Sequence, residues 1–287
     1  LAQLGVQADV KLSGSAISYT DYDLLHFFNL TRPADILYHS SVSGKPYVIS
    51  TILIDYSEYD KHHRAGVAGL LLRYFSSDAI EYIKTMARAA AGKDRWAGLD
   101  YLWRGQRTSI TKILADAATL LPNSVSEYDR SVARYGHACK YTIVPNGINP
   151  HLFTDKHTAK DNNLVICVAR IEGIKNQLNL IKALNNTRFS LFLIGAHAPN
   201  QANYYRACRA AAASNIKFIA HTPQSDLIRY YQNAKVHVLP SWFETTGLSS
   251  LEAAAMGCNV VITDKGDAGS YFKKYAFYCD PASVQSI

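Results

Sequence analysis

Two glutamates with seven residues between them, Glu244 and Glu252, flank a Thr-Thr-Gly turn in the stretch SWFETTGLSSLEAAAMG (241–257). Past Gly247 the pattern Leu248–Met256 reads as a helix, stopped by Gly257. A helix start offers free N–H groups and partial positive charge, so Gly247, Leu248 and Ser249 form a seat for an anion. Glu252, about one turn further along on nearly the same face, is placed to accept hydrogen bonds from a diol beside that anion. Glu244 reaches its other side. A second stretch, VARIEGIKNQLNLIKAL (168–184), puts Arg170 at a strand end and Lys175 at a helix start. Arg grips phosphate in a bidentate fork and Lys adds a point charge. Together these residues suit a diphosphate with an adjoining diol. Each taken alone reads as an ordinary solvated charge.

The elements that must position them follow from the rhythm of the chain. Apolar runs predict strands at Ala8–Leu12, Asp23–Phe28, Ile36–His39, Tyr47–Ile52, Thr119–Leu121 and Tyr141–Val144. The rhythm restarts at Leu164–Val168, Phe189–Ile194, Ile216–Ala220, Val236–Leu239, Val260–Thr263 and Ala276–Tyr278, with helices at Asn176–Leu184, Ala202–Ala213, Ser225–Asn233 and Leu248–Met256. Such alternation implies an α/β protein with parallel sheets covered by helices on both faces. VPNGINP (144–150) punctuates the junction and divides the chain into two doubly wound Rossmann-like domains, 1–147 and 148–287. Ligands of such sheets bind outside the carboxyl ends of the strands, so two facing sheets enclose a cleft.

The composition fits a packed globular protein of 287 residues, 48% hydrophobic and 18% charged. No apolar run approaches the roughly 20 residues of a membrane helix. Five scattered cysteines, none spaced C-x-x-C, predict reduced buried thiols in a cytoplasmic protein. Between Lys61 and Lys112 ten basic residues face four acidic ones, a net of six of the chain's seven formal charges, with aromatics interleaved. This segment, helical in pattern, interrupts the strand rhythm. It reads either as a docking face for a phosphorylated or membrane-anchored substrate or as a solvated helical surface. No nucleic-acid-binding motif accompanies the charge, so nucleic acid is not expected as a partner.

FETTGLSSLEAAAMG resembles the E-x7-E region of retaining glycosyltransferases of family 4, which have the GT-B fold. RIEGIKNQ is similar to their Arg-x4-Lys diphosphate clamp, and IVPNGIN to their interdomain joint. LADAATLLPNSVSEYDRSVARYG (114–136) resembles the last unit of their first domain. The resemblance runs over the whole chain and is strongest from Thr119 onward. It implies an enzyme with no cofactor that moves a sugar from a UDP- or GDP-linked donor; the basic, aromatic segment points to a glycan or lipid-linked acceptor, as in cell-surface polysaccharide synthesis, and no essential metal is expected. It implies that Arg170 and Lys175 neutralise the leaving diphosphate, helped by the amides around Gly247 and Leu248. Glu252 would bind the ribose diol and Glu244 the donor sugar, with Thr245 and Thr246 lining its pocket. The basic segment 61–112 is the candidate for peripheral contact at the inner face of the membrane.

The chain departs from the family pattern in places. Leu1–Val10 matches the end of a first helix and a second strand, so the first strand and its Gly-rich acceptor loop are expected upstream; further helices are expected beyond Ile287. In PYVISTILIDYSEYD (46–60) Ile52 and Leu53 stand where the family has a His facing the donor sugar. His26 is the first choice to substitute for it, ahead of Asp55, His62 and His63. The Asp-x-Asp of TDYDLL (20–25) is read as a strand cap at Asp23, not a metal site. Two other classes remain: a GT-B epimerase or phosphorylase, and a non-catalytic nucleotide-sugar-binding protein.

Overall fold

The computed structural model describes residues 2–63, 77–90 and 99–287. It divides into two compact units. The first takes the described parts of Leu1–Leu53, Leu70–Pro122 and Tyr128–Ile143; the second takes those of Ile54–Gly69, Asn123–Glu127 and Val144–Ile287.

In the first unit, β1 (Leu25–Phe28), β2 (Tyr47–Ser50) and β3 (Thr119–Leu120) form a parallel sheet in that order. Helix α1 (Pro33–Ser43) joins β1 to β2; α2 (Ser57–His63), which follows β2 in sequence, belongs to the second unit. Next come α3 (Ser77–Ala90), α4 (Leu99–Asp116), which breaks at Gly105, and α5 (Val125–Tyr135). Leu30, Ile49, Ile110, Ile113 and Leu114 are shielded from water and form the centre of this core. The Tyr47 hydroxyl donates to the Ile113 carbonyl at 3.0 Å, tying β2 to α4.

Three predicted strands of this half differ in the structure. Ile36–His39 lies within α1, because Pro33 opens a helix at its first position, Asp35 suits the first turn, and Gly44 closes it with its N–H on the Ser40 carbonyl at 3.1 Å. Ile36, Leu37 and His39 are the buried face of that helix. Ala8–Leu12 is exposed and unpaired, Val10 at 97%; apolar alternation makes no strand without a sheet edge to pair with. Tyr141–Val144 reduces to a single bridge between Leu120 and Tyr141. Of the basic segment 61–112, residues 64–76 and 91–98 lie outside the described residues, and its described parts are helical. In these parts Arg107 lies 3.7 Å from Asp78 and Lys112 lies 2.7 Å from Asp116.

In the second unit, strands and helices alternate: β4 (Asp161–Val168), α6 (Gln177–Leu184), β5 (Ser190–Ile194), α7 (Ala202–Ala211), β6 (Ile216–Ile219) and α8 (Gln224–Asn233). They continue with β7 (Ala234–Leu239), α9 (Leu248–Ala255), β8 (Asn259–Thr263), α10 (Ala268–Phe272) and β9 (Phe277–Cys279). Among the described residues the sheet is six-stranded and parallel, in the order β6-β5-β4-β7-β8-β9. Numbered within the unit this is 3-2-1-4-5-6, the dinucleotide-fold order, whose direction reverses between β4 and β7. Ile166, Leu191 and Ile262 are fully buried, as central strands covered on both faces require. The cysteines form no disulfide; four are buried, and burial pushes the Cys208 and Cys258 thiols up to about 11. Among the described residues no helix is long and apolar enough to cross a membrane.

Candidate functional site

At the switch point, by the carboxyl ends of β4 and β7, lies a cavity of about 260 Å³. Val168 and Ala169 line it from β4, Leu239 from β7, and Lys175, Glu244 and Thr245 to Ser249 from the two loops that follow. The two loops are stitched together. The Trp242 N–H donates to the Ile174 carbonyl at 2.8 Å, and the buried Asn176 side chain donates to the Pro240 carbonyl at 3.1 Å and the Pro281 carbonyl at 2.8 Å. Asn176 stands in the left-handed region at φ 59, a conformation Asn tolerates better than most residues.

Lys175 ends a short turn over Gly173–Lys175, and its ammonium donates to Glu244 Oε1 at 2.5 Å. The Ser241 hydroxyl donates to the same oxygen at 2.6 Å. Glu244 is only 5% exposed, and its backbone is held from below: its N–H donates to the Lys265 carbonyl at 3.1 Å, and its carbonyl accepts from the Asp267 N–H at 2.7 Å. The cation and the acid thus form one partly buried pair at the mouth of the helix start.

That start is set by Gly247, which caps α9 at φ 74 and ψ 57. A Cβ there would sit 2.8 Å from Ile262 Cδ1 in the core, so both conformation and space call for glycine. The Gly247 carbonyl accepts from the Ser250 and Leu251 amides at 2.9 and 3.0 Å, which leaves the Gly247, Leu248 and Ser249 N–H groups without acceptors among the described residues. Beside them, the Asn146 side chain donates to Thr246 Oγ1 at 2.9 Å.

Beneath the cavity His237 on β7 is fully buried between β4 and α9. The Val168 N–H donates to its Nε2 at 3.4 Å, so Nδ1 carries the ring proton and donates to the Ser250 hydroxyl oxygen at 3.2 Å. Burial lowers its pKa to about 3, which keeps this bridge neutral.

The structure gathers Lys175, Glu244, Thr245, Thr246, Gly247, Leu248 and Ser249 around one cavity. Arg170 and Glu252 do not line it. The Arg170 side chain is 71% exposed and pairs with Glu172 at 3.1 Å. Glu252 is 7% exposed, and both of its oxygens are occupied, by Tyr231 and Gln224. His26, in the first unit, lies inside β1 opposite Val48 rather than at the strand's carboxyl end. Its ring stacks on Phe28 with centroids 4.2 Å apart, its Nε2 meets Ser50 Oγ at 2.9 Å, and partial burial lowers its pKa. Asp55 caps the turn before α2 by accepting from the Ser57 N–H at 2.9 Å, while the His62 and His63 side chains lie outside the described residues. Asp23 is exposed two residues before β1. Sequence reasoning missed Ser241, His237, Asn146, Asn176, Tyr231 and Gln224. Only Asn146 carried a local signal, in the PNG turn.

Residues 151–287 match the family model for glycosyl transferases group 1. Among curated relatives, a D-inositol 3-phosphate glycosyltransferase of Paenarthrobacter aurescens is 26% identical over 176 residues, covering 54% of this chain and 43% of that protein. A glycogen synthase of Mycobacterium tuberculosis is 26% identical over 170 residues, covering 55% and 40%. The chain thus spans less than half the length of the relatives it matches. Among solved structures, a sucrose-phosphate synthase from Thermosynechococcus elongatus superposes with a TM-score of 0.66 at 18% identity, covering 93% of this chain and 62% of that one. Anabaena HepE in complex with UDP and glucose superposes with a TM-score of 0.68 at 16% identity, covering 93% and 66%. At such identities the structural likeness speaks for the fold alone. The chain therefore has the GT-B fold of these neighbours, and the match of its residues 151–287 to the glycosyl transferases group 1 model lies within the second unit.

Proposed function

We propose that this chain is a retaining, metal-independent glycosyltransferase of family 4. It moves a sugar from a nucleotide-activated donor to a glycan or lipid-linked acceptor in cell-surface polysaccharide synthesis at the cytoplasmic face of the membrane. The observation that carries the reading is the convergence in one cavity of a lysine ammonium, a buried carboxylate and the free amides of a helix start. Anion, sugar hydroxyls and a narrow backbone approach are what a nucleoside diphosphate sugar requires of a protein.

In this reading the diphosphate rests on the amides of Gly247, Leu248 and Ser249 with Lys175 at its side, and Arg170 swings in from solvent to join them. Glu244 accepts hydrogen bonds from the sugar, Thr245 and Thr246 shape its pocket, and Glu252 receives the ribose diol. The acceptor hydroxyl attacks the anomeric carbon on the face the diphosphate leaves. The carbon–oxygen bond to phosphate breaks, and the departing phosphate oxygen takes the acceptor's proton. The largest catalytic contribution is stabilisation of charge developing on that oxygen. His26 is assigned to the donor sugar, and the basic segment 61–112 to the acceptor or the lipid surface.

HepE, crystallised with UDP and with UDP-glucose, supports starting with those ligands. A thermal-shift screen against UDP, GDP, ADP and their common sugars identifies the donor. A ligand at about a hundred times its Kd adds roughly 2.7 kcal/mol of stability. The reading is overturned if none of them raises the melting temperature, or if the donor is converted equally well with no acceptor present.

A further inference from the structure

The two oxygens of Glu252 are held by donors of different kinds. The Tyr231 hydroxyl donates to Oε2 at 2.8 Å, and the Gln224 side-chain amide donates to Oε1 at 2.7 Å. Tyr231 is fully buried near the carboxyl end of α8, edge-on to Phe153 with centroids 6.0 Å apart. Burial, reinforced by the neighbouring Glu252 carboxylate, pushes its hydroxyl far above the usual phenol range, so it remains a donor. Gln224 is the first residue of α8 and is exposed, so its amide exchanges readily between Glu252 and water.

The backbones that carry Tyr231 and Glu252 are fastened to each other. The Lys160 ammonium donates to the Tyr231 carbonyl at 2.8 Å, the Gln232 carbonyl at 3.2 Å and the Met256 carbonyl at 2.8 Å. One cation therefore binds the carboxyl ends of α8 and α9 together, where helix dipoles favour positive charge. An ionised carboxylate only accepts hydrogen bonds, and a vicinal diol brings two donors. A carboxylate already fixed in orientation loses little freedom when that diol arrives.

The geometry points to Tyr231 as the positioning residue that orients Glu252 for a ribose diol, with Gln224 as a placeholder on the other oxygen that yields to the ligand. This rests on the assignment of Glu252 to ribose made above. Neither residue touches the reacting atoms, and they are expected to act with opposite signs. Losing Tyr231's hydroxyl disorders the acceptor, whereas losing Gln224's amide removes only a competitor.

The test is calorimetric titration of UDP, and of dideoxy-UDP lacking both ribose hydroxyls, into the unaltered chain and into Tyr231→Phe, Gln224→Ala and Glu252→Gln. Tyr231→Phe is expected to weaken UDP about ten- to a hundred-fold, the range for a hydrogen bond to a charged group, and to leave dideoxy-UDP within about two-fold. Gln224→Ala, an exposed change, is expected to leave UDP within about two-fold or tighten it. Equal weakening of both ligands by Tyr231→Phe would mean a merely structural tyrosine and overturns the inference, as does no effect on either. Gln224→Ala weakening UDP as much as Tyr231→Phe overturns the placeholder role. If Glu252→Gln erases the preference for UDP over dideoxy-UDP while Tyr231→Phe preserves it, the ribose assignment stands and this inference alone falls. If Glu252→Gln binds both ligands as the unaltered chain does, or the unaltered chain binds neither, the ribose assignment itself fails.

Discussion

Replacing His237 with glutamine should flatten the acid side of the stability profile. His237 is fully buried, and its Nε2 lone pair is occupied by the Val168 N–H, so protonation would break that bond and place a charge where no water reaches. Burial accordingly holds its pKa at about 3 in the folded chain, against roughly 6.5 when unfolded. The folded pKa is depressed, so the unfolded chain binds a proton below pH ~6.5 that the folded chain refuses. Stability is therefore complete above the unfolded value and is lost as the pH falls from ~6.5 toward the folded value. The limiting slope is about 1.4 kcal/mol per pH unit. Between pH 7 and pH 5 the linkage relation gives a loss of about 2 kcal/mol from this residue.

Urea unfolding measures it directly. Trp242 is 4% exposed and lies in the second unit, so with Trp96 and Trp103 changed to phenylalanine its fluorescence follows the unit that holds His237. With m near ~2 kcal/mol/M, the midpoint of the His237 protein should fall by about 1 M more than that of His237→Gln between the two pH values. Carboxylates titrate alike in both proteins and cancel in the difference. Parallel profiles would refute the reasoning, since they mean that the folded chain accepts the proton as easily as the unfolded one.

Four further outcomes are expected. Lys175→Ala should weaken UDP by about a hundred-fold, at the strong end for a charge-assisted contact, and leave uridine nearly unaffected by calorimetry; adding Glu244→Gln should recover part of the loss. Gly247→Ala should cost about 1 to 2 kcal/mol in urea unfolding, from its left-handed φ of 74 alone, and should also weaken UDP. His26→Ala should lower kcat by at least about ten-fold with UDP affinity unchanged, the pattern of a group that acts on the sugar rather than the nucleotide. Excess EDTA should leave the rate of sugar transfer unchanged, because Lys175, Arg170 and the α9 amides are assigned the charge neutralisation; a rate restored only by a divalent cation overturns that assignment.

Much of the second unit was legible because parallel strands covered on both faces read as unbroken apolar runs. LVICV, VHVL and VVIT all fall in strands at the positions expected. The same rule misread ILYH at 36–39, where a short apolar run belongs to a helix whose boundaries lie several residues to either side. Local signals also located Lys175, Glu244 and the start of α9, since loops that follow strands, and helix caps, are written in adjacent residues. The partners of Glu252 were not legible. Tyr231 and Gln224 lie 21 and 28 residues away along the chain, and only the packing of α8 against α9 brings them to the carboxylate. His237 looked like one more residue of a buried strand, and its bridge from β4 to α9 depends on strand order, which no local pattern encodes.

The pairing of Lys175 with Glu244 is what makes the lysine hard to replace. Removing it leaves Glu244, 5% exposed, with the Ser241 hydroxyl as its remaining side-chain donor among the described residues, and a buried acid stripped of its partner costs about 3 to 5 kcal/mol. A diphosphate arriving at the α9 amides would then face an uncompensated carboxylate in a confined space. Two unit charges a few ångströms apart interact by about 4 kcal/mol at an effective dielectric of 20. With Lys175 in place, one ammonium has three donors and can serve Glu244 and a phosphate oxygen together, so repulsion becomes a chain of alternating charge. Arg170 does not neutralise Glu244 in this arrangement: its side chain stands 71% exposed and is paired with Glu172. The partial rescue by Glu244→Gln follows from the same geometry: it removes the repelling charge without supplying an attracting one.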